Sequence, residues 1–332
     1  MIRYVVKRLL MMIPILLCIS FFVMVLIDIT PGDPARLLLG NTATEEKIES
    51  LREEWGLNDP LPVRYGRFVW NILHGDFGTS YQTKRPVATE MFQRFPYTLL
   101  IAVLSLVLSV FIGIPLGVLA ATHQYTIWDN VAIFLSLIAV SMPGFWFALL
   151  LIRYFGVVLA ILPTSGIEDW KGWILPTVSL ALGYAAIIAR QTRSNLLEVI
   201  RQDYITTARA KGLAEGRVLY LHAMKNAIIP VVMIVGSIFG ASLGGALIAE
   251  IVFSVPGLGQ YTLSGLSNRD YPVIQGSVLI LSGLYSVIIL VIDLLFALID
   301  PRIRSQYSSK REKIRKKGGV AANEAEEGVA AD

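Results

Sequence analysis

Long apolar runs, each about the length of a bilayer crossing, alternate along this chain with shorter polar stretches. Six runs are long enough to span: residues 9–29, 97–121, 131–151, 173–189, 228–249 and 277–299. The fourth is the shortest and contains Pro176 and Gly183. Each run predicts an α-helix, because lipid offers no partner to a free backbone amide. Between them, 44–55 has an acidic start and apolar Ile48, Leu51 and Trp55 at helical spacing, which predicts a short surface helix. Residues 66–81 mix glycines with aromatics and read as a compact loop.

The polar stretch 194–230 is too charged to cross and too long for a turn. Leu196, Ile200, Tyr204 and Ala208 fall four apart, which predicts one apolar helical face. Gly212 suits the left-handed residue at a helix C-terminus. A second short helix is expected over 214–225, with Val218 and Leu221 inward. Two readings fit: amphipathic helices lying on a membrane surface, or a helix–glycine–helix element that docks in a partner's groove.

Composition agrees with the spans. The chain of 332 residues is 55% hydrophobic and 16% charged, against about 25% charged in soluble domains. The net charge of +4 is bunched, and the bunching reads as topology rather than nucleic-acid binding. Arg3, Lys7 and Arg8 precede the first span, and seven basic residues from Arg190 to Lys225 follow the fourth. Eight more, from Arg302 to Lys317, follow the sixth. With six crossings all three groups share one side, so both termini are expected in the cytoplasm. The first apolar run exceeds a signal-peptide core and reads as a retained anchor. The domain reading is 1–29 as flank and first span, 30–96 as an extracytoplasmic segment, and 97–300 as a five-helix core containing the inner segment 190–227. Residues 301–332 form a tail, basic and then disordered.

Little points to chemistry on the chain itself. The single cysteine, Cys18, lies in an apolar run, and His74, His123 and His222 are too scattered for metal-ligand spacing. No phosphate-binding G-x-x-x-x-G-K-[ST] loop is present, and no nucleophile–base pair stands out, so catalysis and cofactor binding are not expected of this chain. Gly236, Gly240 and Gly244 recur every four residues on the fifth span. They predict close helix packing, within the subunit or against a second one. Asp293 lies inside the sixth span, where charge is costly. Asp28 and Glu250 sit at span ends and read as interfacial. The lack of charge in mid-span disfavours an ion-coupled carrier acting alone.

The inner segment resembles the signature loop of membrane subunits of ABC importers. That signature places Glu-Ala-Ala six, five and four residues before a glycine. Here Thr206, Thr207 and Ala208 stand before Gly212, so the glutamate and first alanine are absent. The run Thr207, Ala208, Arg209, Ala210, Lys211, Gly212, Leu213, followed by HAMKNAIIPV at 222–231, is more similar to the peptide and nickel branch. So are PGDPARLLLG at 31–40, GDFGTSY at 75–81, RPV at 85–87, FSVPGLGQ at 253–260, RDYPVIQG at 269–276 and DPRIR at 300–304. The resemblance implies an all-α type I importer permease taking up di- or oligopeptides, with glutathione or nickel as alternatives. Its implied partners are a second permease, two ATPase subunits that bind ATP and Mg, and an extracytoplasmic binding protein. Thr206–Leu213 would then be the ATPase-coupling element. The turn at Gly257 and Gly259 and the external segments would face the binding protein.

Overall fold

The computed structural model describes residues 2–40 and 42–299, and every regular element among them is helical. Residues 1–287 form one compact unit, and 288–332 a second, whose described part is the end of the last helix. The tail 301–332 and the DPRIR run at 300–304 lie outside the described residues.

The first helix, α1 (Ile2–Ile29), is followed by three short ones: α2 (Pro34–Leu39), α3 (Glu45–Glu54) and α4 (Leu61–Leu73). The surface helix expected at 44–55 is therefore present as α3, with Ile48 buried. The loop expected at 66–81 is not: its first half belongs to α4, which is regular and amphipathic through Gly66. Only the stretch between α4 and α5 is irregular, closed by a single bridge from Thr79 to Pro86.

The long helix α5 (Val87–Thr122) starts at Val87, ten residues before the predicted span. Its added turns carry Glu90, which pairs with Arg85 at 3.1 Å and Arg94 at 3.2 Å. Hydropathy could not find them because they project past the apolar run.

The third span is not straight. It comprises α6 (Ile127–Ser141) and α7 (Gly144–Leu151), the latter continuing as a wider π turn through Val158, and the two parts are bent by 100°. Pro143 is the cause. A proline disfavours helix in the residue before it, and Met142 is extended at φ −76°, ψ 128°.

The fourth span, expected to be short, is a 27-residue helix, α8 (Ile174–Ile200). Pro176 falls in its first turn, where no amide partner is lost. A turn at Trp170–Trp173 leads into it, capped by Asp169, which accepts from the amides of Lys171 and Gly172. Beyond α8 lie α9 (Asp203–Ala210), a single turn α10 (Glu215–Arg217) and a π turn that runs on into α11 (Met224–Val252). Then come α12 (Leu258–Ser267) and α13 (Tyr271–Ile299).

At the centre α5 packs along α8, with α11 against both. A Cβ added at Gly113 would lie 2.7 Å from the Ala185 carbonyl oxygen, and one at Gly117 would lie 2.5 Å from that of Ala189. The two backbones touch there, which only glycine permits. Around this contact Ile188, Val231 and Ile238 form the middle of the core. Replacing Gly117 with Val is expected to lower stability by about 2–3 kcal/mol through overpacking. Gly183→Ala, where an added Cβ meets open space, is expected to be neutral or stabilising by up to ~1 kcal/mol. Thermal unfolding in detergent reads both, and equal melting of the two variants would refute the close-contact assignment.

Candidate coupling site

The polar segment after the fourth span is anchored on one side and open on the other. Helix α8 ends at Ile200, and Gln202, extended at ψ 149°, restarts the chain as α9. This break shifts the helical phase. The predicted stripe of Leu196, Ile200, Tyr204 and Ala208 is therefore not one face of one helix. Leu196 and Ala208 are buried, but the residue between them that points inward is Ile205, while Tyr204 is exposed. The second predicted helix, 214–225, is not a separate short one. It begins at Glu215 and runs without a stop into the fifth span, with Val218 and Ala223 inward and Leu221 exposed. Ala121, Leu196, Ile205, Ala208, Val218 and Ala223 form the anchoring cluster.

Of the eight residues singled out in sequence, Ala208 is buried and Leu213 packs half-buried on this cluster. Thr206, Thr207, Arg209, Ala210, Lys211 and Gly212 are exposed. Gly212 has φ +78°, the left-handed conformation expected of it, and an added Cβ would meet open space. A side chain there would therefore strain the backbone rather than clash. Arg209 is turned back across the glycine turn, donating from Nε and Nη2 to Glu215 at 3.0 and 2.6 Å. The pair is solvent-exposed, so it contributes little to stability, but it holds the turn closed. Asn226 donates to the Tyr204 hydroxyl at 2.7 Å and ties α9 to the start of α11.

Sequence reading missed the ion pair beside this segment. Asp129, in the first turn of α6, accepts from Arg193 Nε at 2.6 Å and Nη2 at 2.8 Å, and from the Tyr125 amide at 3.0 Å. The Asp129 side chain is 2% exposed and that of Arg193 23%. A buried carboxylate needs such compensation. Its signal in the sequence was a lone acid at the head of an apolar run, with nothing to identify a partner 64 positions away. The arrangement bolts the bent third span to α8 two turns before the break that releases α9.

The opposite end of the bundle holds a second polar knot. Glu250 is fully buried, not interfacial. The Thr98 hydroxyl donates to it at 2.5 Å, the Gln260 amide at 3.0 Å, and the Leu258 amide donates to Thr98 Oγ1 at 2.9 Å. A Cβ at Gly257 would lie 2.2 Å from the Glu250 carboxyl carbon, and one at Gly259 2.8 Å from Leu247. The glycines of PGLG thus serve close approach to the carboxylate, rather than the tight turn the sequence suggested: Gly257 has φ −92° and Gly259 lies inside α12.

Nearby, buried Asp270 accepts from the Ser80 hydroxyl at 2.6 Å and the Gln82 amide at 3.2 Å, and joins the 74–86 loop to the start of α13. Trp55 stacks on Tyr81 with ring centroids 3.7 Å apart. Burial, and next the Asp270 carboxylate, push the Tyr81 hydroxyl well above its ordinary range. A cavity of about 140 Å³ lies here, lined by Trp55, Arg64, Phe68, Tyr81 and Tyr271 among others. Of the glycines on the fifth span, Gly240 is buried, Gly236 half-buried and Gly244 exposed with open space around it. Asp293 is half-buried in the last part of α13.

Residues 113–305 match the family described as binding-protein-dependent transport system inner membrane component, and residues 1–102 match the N-terminal part of such membrane components. The chain is 41% identical to the glutathione transport system permease protein GsiC of Escherichia coli (strain K12), over 92% of this chain and 99% of that protein. Identity and coverage are the same for the protein of that name from Salmonella typhimurium. Among solved structures, the MetNI methionine ABC transporter in an inward-facing conformation aligns at TM-score 0.55 and 20% identity, covering 64% of this chain and 96% of that one. An amino acid ABC transporter aligns at TM-score 0.51 and 16% identity, covering 65% and 94%. With its helical bundle, five long apolar helices and one bent pair among the described residues, and both parts of the family pattern across its length, this chain belongs to the binding-protein-dependent transport system inner membrane components, the permease subunits of ABC importers.

Proposed function

We propose that this permease imports short peptides, glutathione included, together with a second permease, two ATPase subunits and a binding protein. Residues 206–213 are the surface gripped by an ATPase, and both termini lie on that side of the membrane. The observation that carries the reading is the split character of the segment. Ile205 and Ala208 lock it to the bundle, while Thr206, Thr207, Lys211 and Gly212 stand free of the chain's own packing. A contact that transmits force needs both properties. The substrate class is supported by the glutathione permeases to which the chain is 41% identical over nearly their full length, since glutathione is itself a modified tripeptide.

Force applied to α9 has two rigid exits in this architecture. One is the hydrophobic cluster into α8 and α11. The other is the Asp129–Arg193 pair, which carries any displacement of the end of α8 to the bent third span. Nucleotide-driven movement of the ATPases would thus shift several spans together and switch access to the substrate path.

Four results are expected. First, in a Cys18→Ser background, Lys211→Cys should crosslink to an ATPase subunit and resist an impermeant thiol reagent added outside intact cells. Labelling from outside would sink the orientation and the coupling assignment together. Second, Gly212→Val should strain the turn by about 1–3 kcal/mol and raise ATP hydrolysed per substrate imported in reconstituted complexes, with membrane insertion unchanged. Third, the buried pair should respond asymmetrically. Arg193→Met strands a buried carboxylate and should cost about 3 kcal/mol or more. Asp129→Asn leaves an arginine that can reach water and should cost about 1 kcal/mol, and the double variant should cost less than the sum. For the substrate, proteoliposomes of the full complex should take up labelled glutathione or tripeptide with ATP. Uptake of a nickel chelate alone would overturn the peptide reading.

A further inference from the structure

Helix α4 lies in a segment that charge and loop length mark as water-facing, yet its surface does not fit water. Its half-buried positions are Leu61, Arg64, Tyr65, Phe68, Val69, Asn71 and Ile72, built on an i, i+3, i+4, i+7 pattern that faces the protein. The opposite face carries Val63, Trp70 and Leu73, exposed by 51%, 65% and 75%. An amphipathic helix in water would put polar residues there.

The depth of α4 follows from its partner. It packs on α1, whose buried positions Ser20, Met24 and Ile27 form the stripe beneath it. The Tyr65 hydroxyl donates to the Leu17 carbonyl at 2.8 Å and lies 3.2 Å from the Ser20 hydroxyl, and its ring meets Phe21 edge-on at 5.2 Å. Between Arg8 and Asp28, α1 has 19 uncharged residues, about 28 Å of helix, which matches the hydrocarbon thickness of about 30 Å. Asp28 therefore marks the hydrocarbon boundary on the side of residues 30–96. Leu17 lies eleven residues further in, about 16 Å along the axis, a drop that a tyrosine side chain cannot span from above the boundary.

We infer that α4 is an interfacial helix sunk into the leaflet on the side of residues 30–96, with Val63, Trp70 and Leu73 among lipid acyl chains. Its occupant is lipid because at the depth of Leu17 and Ser20 a spanning helix is surrounded by acyl chains, and α1 at that level is itself bare at Phe22. The charges comply. Arg64 reaches up to Asp28 at 2.6 Å, at the polar boundary, and Arg67 is paired with Asp59 at 2.6 Å. Trp70 has the amphipathic ring enriched at that level. The helix therefore clamps the floor of the aromatic cavity to the bilayer, since its inner face supplies Arg64 and Phe68 to that cavity.

The test uses spin labels at Val63→Cys, Trp70→Cys and Leu73→Cys in the Cys18→Ser background. The full chain is purified with its partner subunits and placed in phosphatidylcholine–phosphatidylglycerol nanodiscs. Power saturation should show oxygen collisions exceeding those of a water-soluble nickel chelate at all three sites, with the reverse at Glu46→Cys on exposed α3. Nickel collisions dominating at 63, 70 and 73 would place the face in water. Exclusion of both reagents would mean that a protein partner covers it. Either result overturns the proposal. As a label-free check, brominated lipids should quench a component of tryptophan emission that is lost in Trp70→Phe, and unchanged quenching in that variant also counts against it.

Discussion

Backbone contact between α5 and α8 is the constraint on which the rest of the bundle hangs. In lipid there is no hydrophobic gain from bringing two apolar helices together, so association depends on close packing and polar contacts. Gly113 and Gly117 supply the first by removing the side chains that would otherwise hold α5 away from the carbonyls of Ala185 and Ala189. Once the two helices are in register, their ends are set. At one end α8 delivers Leu196 to the cluster under α9, and at the other α5 presents Thr98 to Glu250.

The same logic explains why the fourth span was the hardest to read. Helix α8 is the least apolar of the candidate spans and the most buried. Most of its buried positions are small or weakly polar, among them Thr177, Ser179, Ala181, Ala185 and Thr192. A helix surrounded by protein does not need to satisfy lipid, while the helices around it do, and their bare leucines and phenylalanines face outward. High hydropathy along this chain therefore marks the periphery, and moderate hydropathy marks the centre.

Of the four carboxylates buried among the described residues, three tie separate elements together. Asp129 joins the third and fourth spans near the break before α9. Glu250 holds the start of α12 against α5, and Asp270 holds the 74–86 loop against α13. Only the first has a cationic partner in its hydrogen-bond set; the other two are satisfied by hydroxyls and amides. These knots fix the places where a helix breaks or a loop returns, which are the points through which movement at one end of a transporter can reach the other. The surface proposed for coupling is simple by comparison, a turn held by Gly212 and the Arg209–Glu215 pair over an apolar anchor.

By itself the sequence determined the class, the long apolar spans and the left-handed turn at Gly212. These are properties of local pattern: run length against bilayer thickness, a glycine after a helical stretch, a motif in contiguous order. The kink at Pro143 was not anticipated, although its cause is local, because the apolar run on both sides concealed it. Only the tertiary structure decided which way Ile205 and Tyr204 face, that Glu250 is buried rather than interfacial, that Asp129 belongs to Arg193, and that α4 lies along α1 below Asp28. Each of these depends on partners between tens of residues and about 150 residues away. A hydrogen bond or ion pair across that distance leaves no periodic trace in the chain, because its geometry exists only after the helices have packed.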